Sequence, residues 1–273
     1  MPSHRLRLLV SAGVLAALAG CGGSQSGQGP ARASDATSAE AVSPTSTAGR
    51  ERGVEVVEVL DRGPGFTQGL ELLDDGRLLH STGRYGESSL QVLLLGGPAE
   101  VSTDLPAEEF GEGATLVGDT AYQLTWKSGV VHTWSLPDLV EGPSLQIEGD
   151  GWGLCYDETR DALWQSDGTS TLRLLAVPDL APIAEVNVTE QIGDRATPVQ
   201  RLNELECDQG RVWANVWQSE DILLIEPPRG DAAANKDTNA QVLQRVSLSR
   251  LVEGEGHSDP DNVLNGVALE EQD

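Results

Sequence analysis

The sequence is short of positive charge. Lys and Arg together number 18 against 43 Asp and Glu, a formal net charge of −25 at pH 7 over 273 residues. The deficit lies beyond the N-terminal stretch, where Arg5, Arg7, Arg32 and Arg50 outnumber Asp35 and Glu40. A surface of that sign repels phosphate backbones and argues against nucleic acid as a partner. It serves solubility, and it would also draw cationic peptides; charge alone does not choose between them. Histidine is scarce too. His4 lies near the N-terminus, and His80, His132 and His257 share no ligand spacing with one another or with the cysteines. No zinc site is readable, so neither a metal nor another cofactor is expected. The sequence also lacks a nucleophile elbow, a phosphate-cradling glycine loop and a dinucleotide fingerprint.

An apolar run occupies residues 8–19, well under the ~20 residues that a helix needs to cross a bilayer. Arg5 and Arg7 precede it, and the small-residue junction Leu18-Ala19-Gly20 stands directly before Cys21. Residues 1–20 therefore read as a secretory signal peptide rather than a permanent span. The Leu-Ala-Gly-Cys junction resembles the bacterial lipobox, which implies a lipidated Cys21 as the first residue of the mature chain. A plain signal peptide ending near an accidental thiol is the alternative. The expected protein is exported and held at the cell envelope through an N-terminal lipid anchor in the membrane. Residues 21–50 are almost entirely small and polar, with Val42 the one larger aliphatic side chain. Such a stretch cannot bury enough surface to offset the entropy of ordering and reads as a flexible tether. Residues 51–273 remain as one domain, long enough for a propeller or a barrel.

Helical periodicity is scarce; only residues 246–253 would pass as a short helix. What the sequence does hold is a recurring unit. Thr67-Gln68-Gly69-Leu70-Glu71, Gly111-Glu112-Gly113-Ala114-Thr115, Gly151-Trp152-Gly153-Leu154-Cys155, Asn203-Glu204-Leu205-Glu206-Cys207 and Asn265-Gly266-Val267-Ala268 align. Each of the first four is followed by a turn and a second run of alternating apolar residues, which is a hairpin signature. Further alternating stretches follow, such as Ser89-Leu90-Gln91-Val92-Leu93-Leu94. Four strands per unit make this the propeller pattern, and five units predict an all-β, five-bladed β-propeller whose fifth blade is incomplete. First strands of blades line the central channel, so the segments carrying Gln68, Glu112, Trp152, Asn203 and Asn265 are expected to converge. Cys155 and Cys207 are either two buried thiols or a disulfide; export and their matched places on neighbouring units favour the bridge.

Glu112 stands between two glycines at the start of an inner strand. Burial there would raise its pKa and suit it to moving protons, while the competing role is a structural carboxylate capping backbone amides. Trp126, Trp152 and Trp217 lie beside the polar positions, and Trp134, Trp164 and Trp213 elsewhere in the alternation. Tryptophan ordinarily fills blade cores; an aromatic-walled pocket is the functional reading.

Taken in order, Phe66-Thr67-Gln68-Gly69-Leu70-Glu71, Ser81-Thr82-Gly83-Arg84-Tyr85-Gly86, Leu124-Thr125-Trp126-Lys127, Asp150-Gly151-Trp152-Gly153-Leu154, Leu202-Asn203-Glu204-Leu205-Glu206, Ala214-Asn215-Val216-Trp217 and Leu264-Asn265-Gly266-Val267-Ala268 resemble the motif series of plant-type glutaminyl-peptide cyclotransferases. The resemblance spans nearly all of residues 54–269 and keeps motif order and spacing. It implies a five-bladed propeller that converts the N-terminal glutamine of peptides or proteins to pyroglutamate with loss of ammonia. It places the proton-transfer glutamate on Glu112 and the substrate pocket on Phe66, Gln68, Trp126, Trp152, Asn203 and Trp217. It implies no cofactor, and a monomer. The family's further strand with a Thr-Gly-Lys and a Trp-Pro motif has no counterpart here, so the chain reads as truncated unless residues 54–60 close the ring. That departure motivates a second reading, a catalytically silent propeller that binds peptides or envelope partners.

Overall fold

The computed structural model describes residues 54, 57–60, 65–229, 239–249 and 263–271, together with the backbone of residues 6–12. The architecture is all-β, with almost no helix among the described residues. β1 (Leu6–Ala12) comes first in the chain. A four-stranded antiparallel sheet follows in simple meander order: β2 (Thr67–Leu72), β3 (Arg77–Thr82), β4 (Ser89–Leu94) and β5 (Ala99–Asp104). The turn between β2 and β3 closes through Leu73 N to Arg77 O at 2.8 Å, with Gly76 at φ +82° supplying the left-handed conformation the turn requires. The second sheet repeats the plan with β6 (Gly111–Val117), β7 (Thr120–Thr125) and β8 (Val130–Ser135), on whose outer side lie the short β9 (Val140–Glu141) and β10 (Leu145–Gln146).

The third run is β11 (Leu154–Asp157), β12 (Ala162–Ser166), β13 (Thr171–Ala176) and β14 (Pro182–Ile192), with β15 (Arg195–Pro198) hairpinned onto β14. The fourth is β16 (Leu202–Asp208), β17 (Arg211–Val216), β18 (Asp221–Glu226) and β19 (Ala240–Ser247). β14 and β19 meet in parallel at Val188 and Ala240, so these two runs form one continuous sheet. Of the helical candidate at 246–253, Val246 and Ser247 are strand, because Val246 pairs with Ile222 and is buried in a core; Ser249 is helical, and residues 250–253 lie outside the described residues. Tertiary burial outweighs a short stretch of helical pattern there. Last comes β20 (Leu264–Glu271), which pairs antiparallel with β1, Leu6 opposite Glu271 and Ala12 opposite Leu264. Part of the expected signal peptide is thus the strand beside β20. The expected tether and Cys21 lie outside the described residues.

Successive strand residues point to opposite faces, and here both faces are buried. Leu79, Leu90 and Val92 pack with Ala121 and Trp134 of the second sheet, while Leu78 and Leu93 face Ala268 of β20. Tyr122, Leu124 and Val131 meet Leu163 and Leu175 of the third run, and Trp164 of that run joins Leu205, Val212 and Leu223 of the fourth. Trp213 and Ile222 then meet Leu264 and Val267 of β20. The cores therefore follow one another around a ring and return to their start.

β2, β6, β11, β16 and β20 pack side by side on the inside of that ring. Each of them ends its sheet, so its outer backbone groups lack a ladder partner and must be satisfied otherwise. Side chains supply many of the partners. Glu71 accepts from Leu116 N at 2.8 Å, Thr115 Oγ1 accepts from Tyr156 N at 3.1 Å, and Glu204 accepts from both Leu70 N at 3.2 Å and Val267 N at 2.7 Å. Close approach is possible because glycine recurs at the matching step: a Cβ on Gly113 would lie 2.8 Å from Gly153 Cα, and one on Gly153 2.1 Å from Asn203 O. Cys155 and Cys207, on β11 and β16, form a disulfide with Cα atoms 5.4 Å apart.

Candidate active site

Three inner strands slip register at one equivalent step: between Thr67 and Gly69 in β2, between Gly111 and Ala114 in β6, and between Leu202 and Leu205 in β16. Gln68, Glu112 and Asn203 sit in those slips. A bulge takes its residue out of the ladder and re-aims the side chain, so each is turned away from ordinary strand alternation. The backbone bonds just before each bulge match as well. Gly83 N donates to Phe66 O, Trp126 N to Phe110 O and Trp217 N to Arg201 O, at 2.8, 2.9 and 2.9 Å. The aromatic residues Phe66, Trp126 and Trp217 consequently stand at the same end of the ring as the bulged polar residues.

Glu112 is buried, and its carboxylate has no hydrogen-bond partner among the described residues. Burial pushes its pKa well above the usual 4.5, and the nearby negative charge of Asp150 pushes in the same direction. Its main chain is held by a buried relay. Ser81 Oγ donates to Glu112 O, Gln123 Nε2 donates to Ser81 Oγ at 2.9 Å, and Trp134 Nε1 donates to Gln123 Oε1 at 3.2 Å. Amide capping, the competing role for a buried glutamate here, falls instead to Glu71, Glu204 and Glu206. Burial raises all three, Glu71 to about 7, against the backbone hydrogen bonds that lower them. A capping carboxylate is fully engaged; Glu112 is restrained through its backbone and left open at its carboxyl.

Two aromatic groups border the site. Phe110 stands between Phe66 at 6.4 Å, Tyr85 at 5.5 Å and Trp126 at 5.7 Å, all edge to face. Trp152 meets Trp217 at 5.6 Å and 88°. The indole Nε1 of Trp152 is buried without a hydrogen-bond partner among the described residues, a donor of the kind a ligand satisfies. Cations lie over these rings: Arg84 over Phe66 at 4.8 Å, Lys127 over Trp126 at 4.1 Å and Arg201 over Trp217 at 5.9 Å. By contrast Trp134, Trp164 and Trp213 belong to the cores.

Gln68 and Asn203 are joined through Asn265. Asn203 Nδ2 donates to Asn265 Oδ1 at 3.1 Å, and Asn265 Nδ2 donates to Gln68 Oε1. The structure thus brings Gln68 and Asn203 together directly, sets Glu112 on the strand adjoining β2 and β11, and lines the same end with Phe66, Trp126, Trp152 and Trp217. Sequence reasoning assigned no role to Phe110, Ser81, Gln123 and Asp150, and expected Asn265 on the converging strands without giving it a role. Phe110 directly precedes Gly111-Glu112, as Phe66 precedes Thr67-Gln68, a parallel that could have found it. Ser81 opens one of the quoted motifs and Gln123 lies in a second-strand run, but neither has a role readable from sequence, since they act on Glu112 from two other strands. Among the described residues no group of three or more His, Cys, Asp or Glu is arranged to hold a metal ion. The arrangement can accept and return a proton at one uncommitted carboxyl beside an aromatic wall and a pair of primary amides.

A family model described as glutamine cyclotransferase matches residues 31–273. A curated glutaminyl-peptide cyclotransferase from Arabidopsis thaliana is 37% identical over 221 residues, which cover 79% of this chain and 64% of the relative. The chain thus spans just under two thirds of the length of that relative. The crystal structure of a Myxococcus xanthus glutaminyl cyclase superposes with a TM-score of 0.63 at 34% identity, covering 76% of this chain and 82% of that one.

Proposed function

Because the chain belongs to the glutamine cyclotransferase family, we propose that it is a glutaminyl-peptide cyclotransferase, converting N-terminal glutamine of peptides or proteins to pyroglutamate and ammonia. The observation that carries this reading is Glu112, a buried carboxyl of raised pKa, held by its backbone and uncommitted at its oxygens. In the reaction the neutral α-amine attacks the side-chain amide carbon of its own residue and a C–N bond closes a five-membered ring. Glu112 takes the proton that the amine loses. Collapse of the tetrahedral adduct breaks the bond to the amide nitrogen, and Glu112 returns the proton so that ammonia departs. One group serves both transfers, and a pKa raised by burial and by the charge of Asp150 suits it to both. The aromatic wall holds the glutamine in a folded pose and excludes water, a gain through proximity. Gln68 and Asn203 bind the amide and its developing oxyanion.

Incubation of the chain with a Gln-initiated dipeptide tests this by ammonia release. Peptide binding without ammonia would instead favour the silent, peptide-binding reading. We read the architecture as a five-bladed β-propeller, supported by the ring of inner strands and the succession of cores between them. We also propose export and lipid attachment at Cys21, supported by the run at residues 8–19 and the junction before Cys21. Loss of the leader would take β1 away from β20. Incorporation of labelled fatty acid that persists in Cys21→Ser would contradict the anchor.

A further inference from the structure

Resting on the reading just given, we propose that Asn265 is a positioning residue that fixes the polarity of the two substrate amides, making Gln68 a donor and Asn203 an acceptor, and so selects a carboxamide over a carboxylate.

A primary amide can turn over and exchange its donor and acceptor ends, so Gln68 and Asn203 alone have no defined polarity. Backbone groups cannot exchange. Asn265 is tied to two of them: its Oδ1 accepts from Gly266 N at 3.1 Å, and its Nδ2 donates to Thr67 O at 3.2 Å. Reversing Asn265 would set donor against donor and acceptor against acceptor at once. Its orientation is therefore fixed, and it passes that orientation outward. Facing Asn265 Oδ1, Asn203 must present Nδ2; facing Asn265 Nδ2, Gln68 must present Oε1. What remains is Gln68 Nε2 as a donor and Asn203 Oδ1 as an acceptor, neither with a partner among the described residues. All three side chains are buried, so a reversed amide would find no water to compensate it.

One donor and one acceptor match a glutamine side chain, whose carbonyl accepts and whose NH2 donates. They mismatch a glutamate side chain, which above its pKa only accepts and meets Asn203 Oδ1 with two like lone pairs. The chain thus supplies discrimination before chemistry begins, and it does so from a residue in the last inner strand.

The test compares binding of Gln-Ala and Glu-Ala dipeptides at pH 8 by stopped-flow tryptophan fluorescence, which reads occupancy beside Trp126, Trp152 and Trp217 ahead of turnover. Wild type should prefer Gln-Ala by about tenfold or more, the scale expected when an unpaired buried polar group is the alternative. Asn265→Ala releases both amides, and the preference should fall to within about threefold of unity. Asn203→Ala, which leaves the ties of Asn265 to Thr67, Gly266 and Gln68 in place, removes the acceptor that rejects a carboxylate and should lose the preference equally; this variant decides the matter if Asn265→Ala fails to melt cooperatively. An unchanged preference in folded variants, or none in wild type, overturns the proposal. Ammonia release is followed in parallel. None from a wild type that prefers Gln-Ala would end the cyclotransferase reading and leave the polarity assignment standing; release without binding preference would do the reverse.

Discussion

Replacing Glu204 should unlock the ring of inner strands while leaving the reacting groups in place. Its two oxygens accept from Val267 N in β20 and Leu70 N in β2, so one side chain of β16 ties three inner strands. The residue is fully buried, and glycine holds the matching step in the other inner strands. Glu204→Ala therefore strands two buried N–H groups, each costing about 1–3 kcal/mol. The expected loss is roughly 2–6 kcal/mol, a large part of the ~5–15 kcal/mol that holds a domain folded. Glu204→Gln keeps one acceptor but turns an NH2 group toward the other N–H, and should cost about half as much. A protonated wild-type carboxyl escapes that penalty, because each of its oxygens retains a lone pair. Urea unfolding followed by tryptophan fluorescence measures the series, and the order should be wild type, Gln, Ala. An alanine variant within about 0.5 kcal/mol of wild type would refute the reasoning, since surface substitutions without structural role fall in that range.

Glu112→Gln should behave in the opposite way, with ammonia release lowered by about 10²–10⁴ and no loss in urea stability, because its carboxylate ties down no other group; equal rates would remove Glu112 from the chemistry. Asp150→Asn removes a negative charge that raises the Glu112 pKa, so the acidic limb of kcat/KM should move to lower pH. A limb that stays in place would mean another group titrates there. Cys155→Ser with Cys207→Ser opens a bridge across a sequence separation of 52 and should cost about 4 kcal/mol in urea unfolding, against no change if the bridge adds nothing. Glu71 rises on folding from 4.5 to about 7, so the folded chain holds the extra proton and this contribution is complete below pH 4.5. As pH climbs through that window to about 7, stability should fall by up to ~1.4 kcal/mol per pH unit. Glu71→Gln should flatten this slope; an unaltered slope would assign the titration elsewhere.

Much of the site was legible because the repeat made it so. Gln68, Trp152 and Asn203 occupy matching places in look-alike segments, Trp126 and Trp217 follow at the ends of such hairpins, and matching places in a ring of such units end up at the same end; Phe66 came only from the family resemblance. The pairing of Cys155 with Cys207 followed from the same register. The division of the tryptophans also held: three border the site and three fill cores. The short helix expected over 246–253 starts later than its pattern: Val246 pairs with Ile222 in β19, Ser249 is helical, and residues 250–253 lie outside the described residues.

The sequence by itself determined that this is an all-β chain of recurring hairpin units, and that Glu112 and the polar residues at matching steps were the ones to examine. Strand periodicity and register are local properties, written in the order of side chains. Which glutamate carries a free carboxyl was decided only by the tertiary structure. Glu112 and Glu204 both lie in inner strands at register slips, and both are buried. Glu204 meets backbone N–H groups at positions 70 and 267, whereas the Glu112 carboxylate meets none. The same holds for Asn265, whose role depends on Thr67 at a separation of 198 residues. Hydrogen bonds between strands so far apart in the chain leave no mark on local sequence, because their partners are chosen by the closing of the ring.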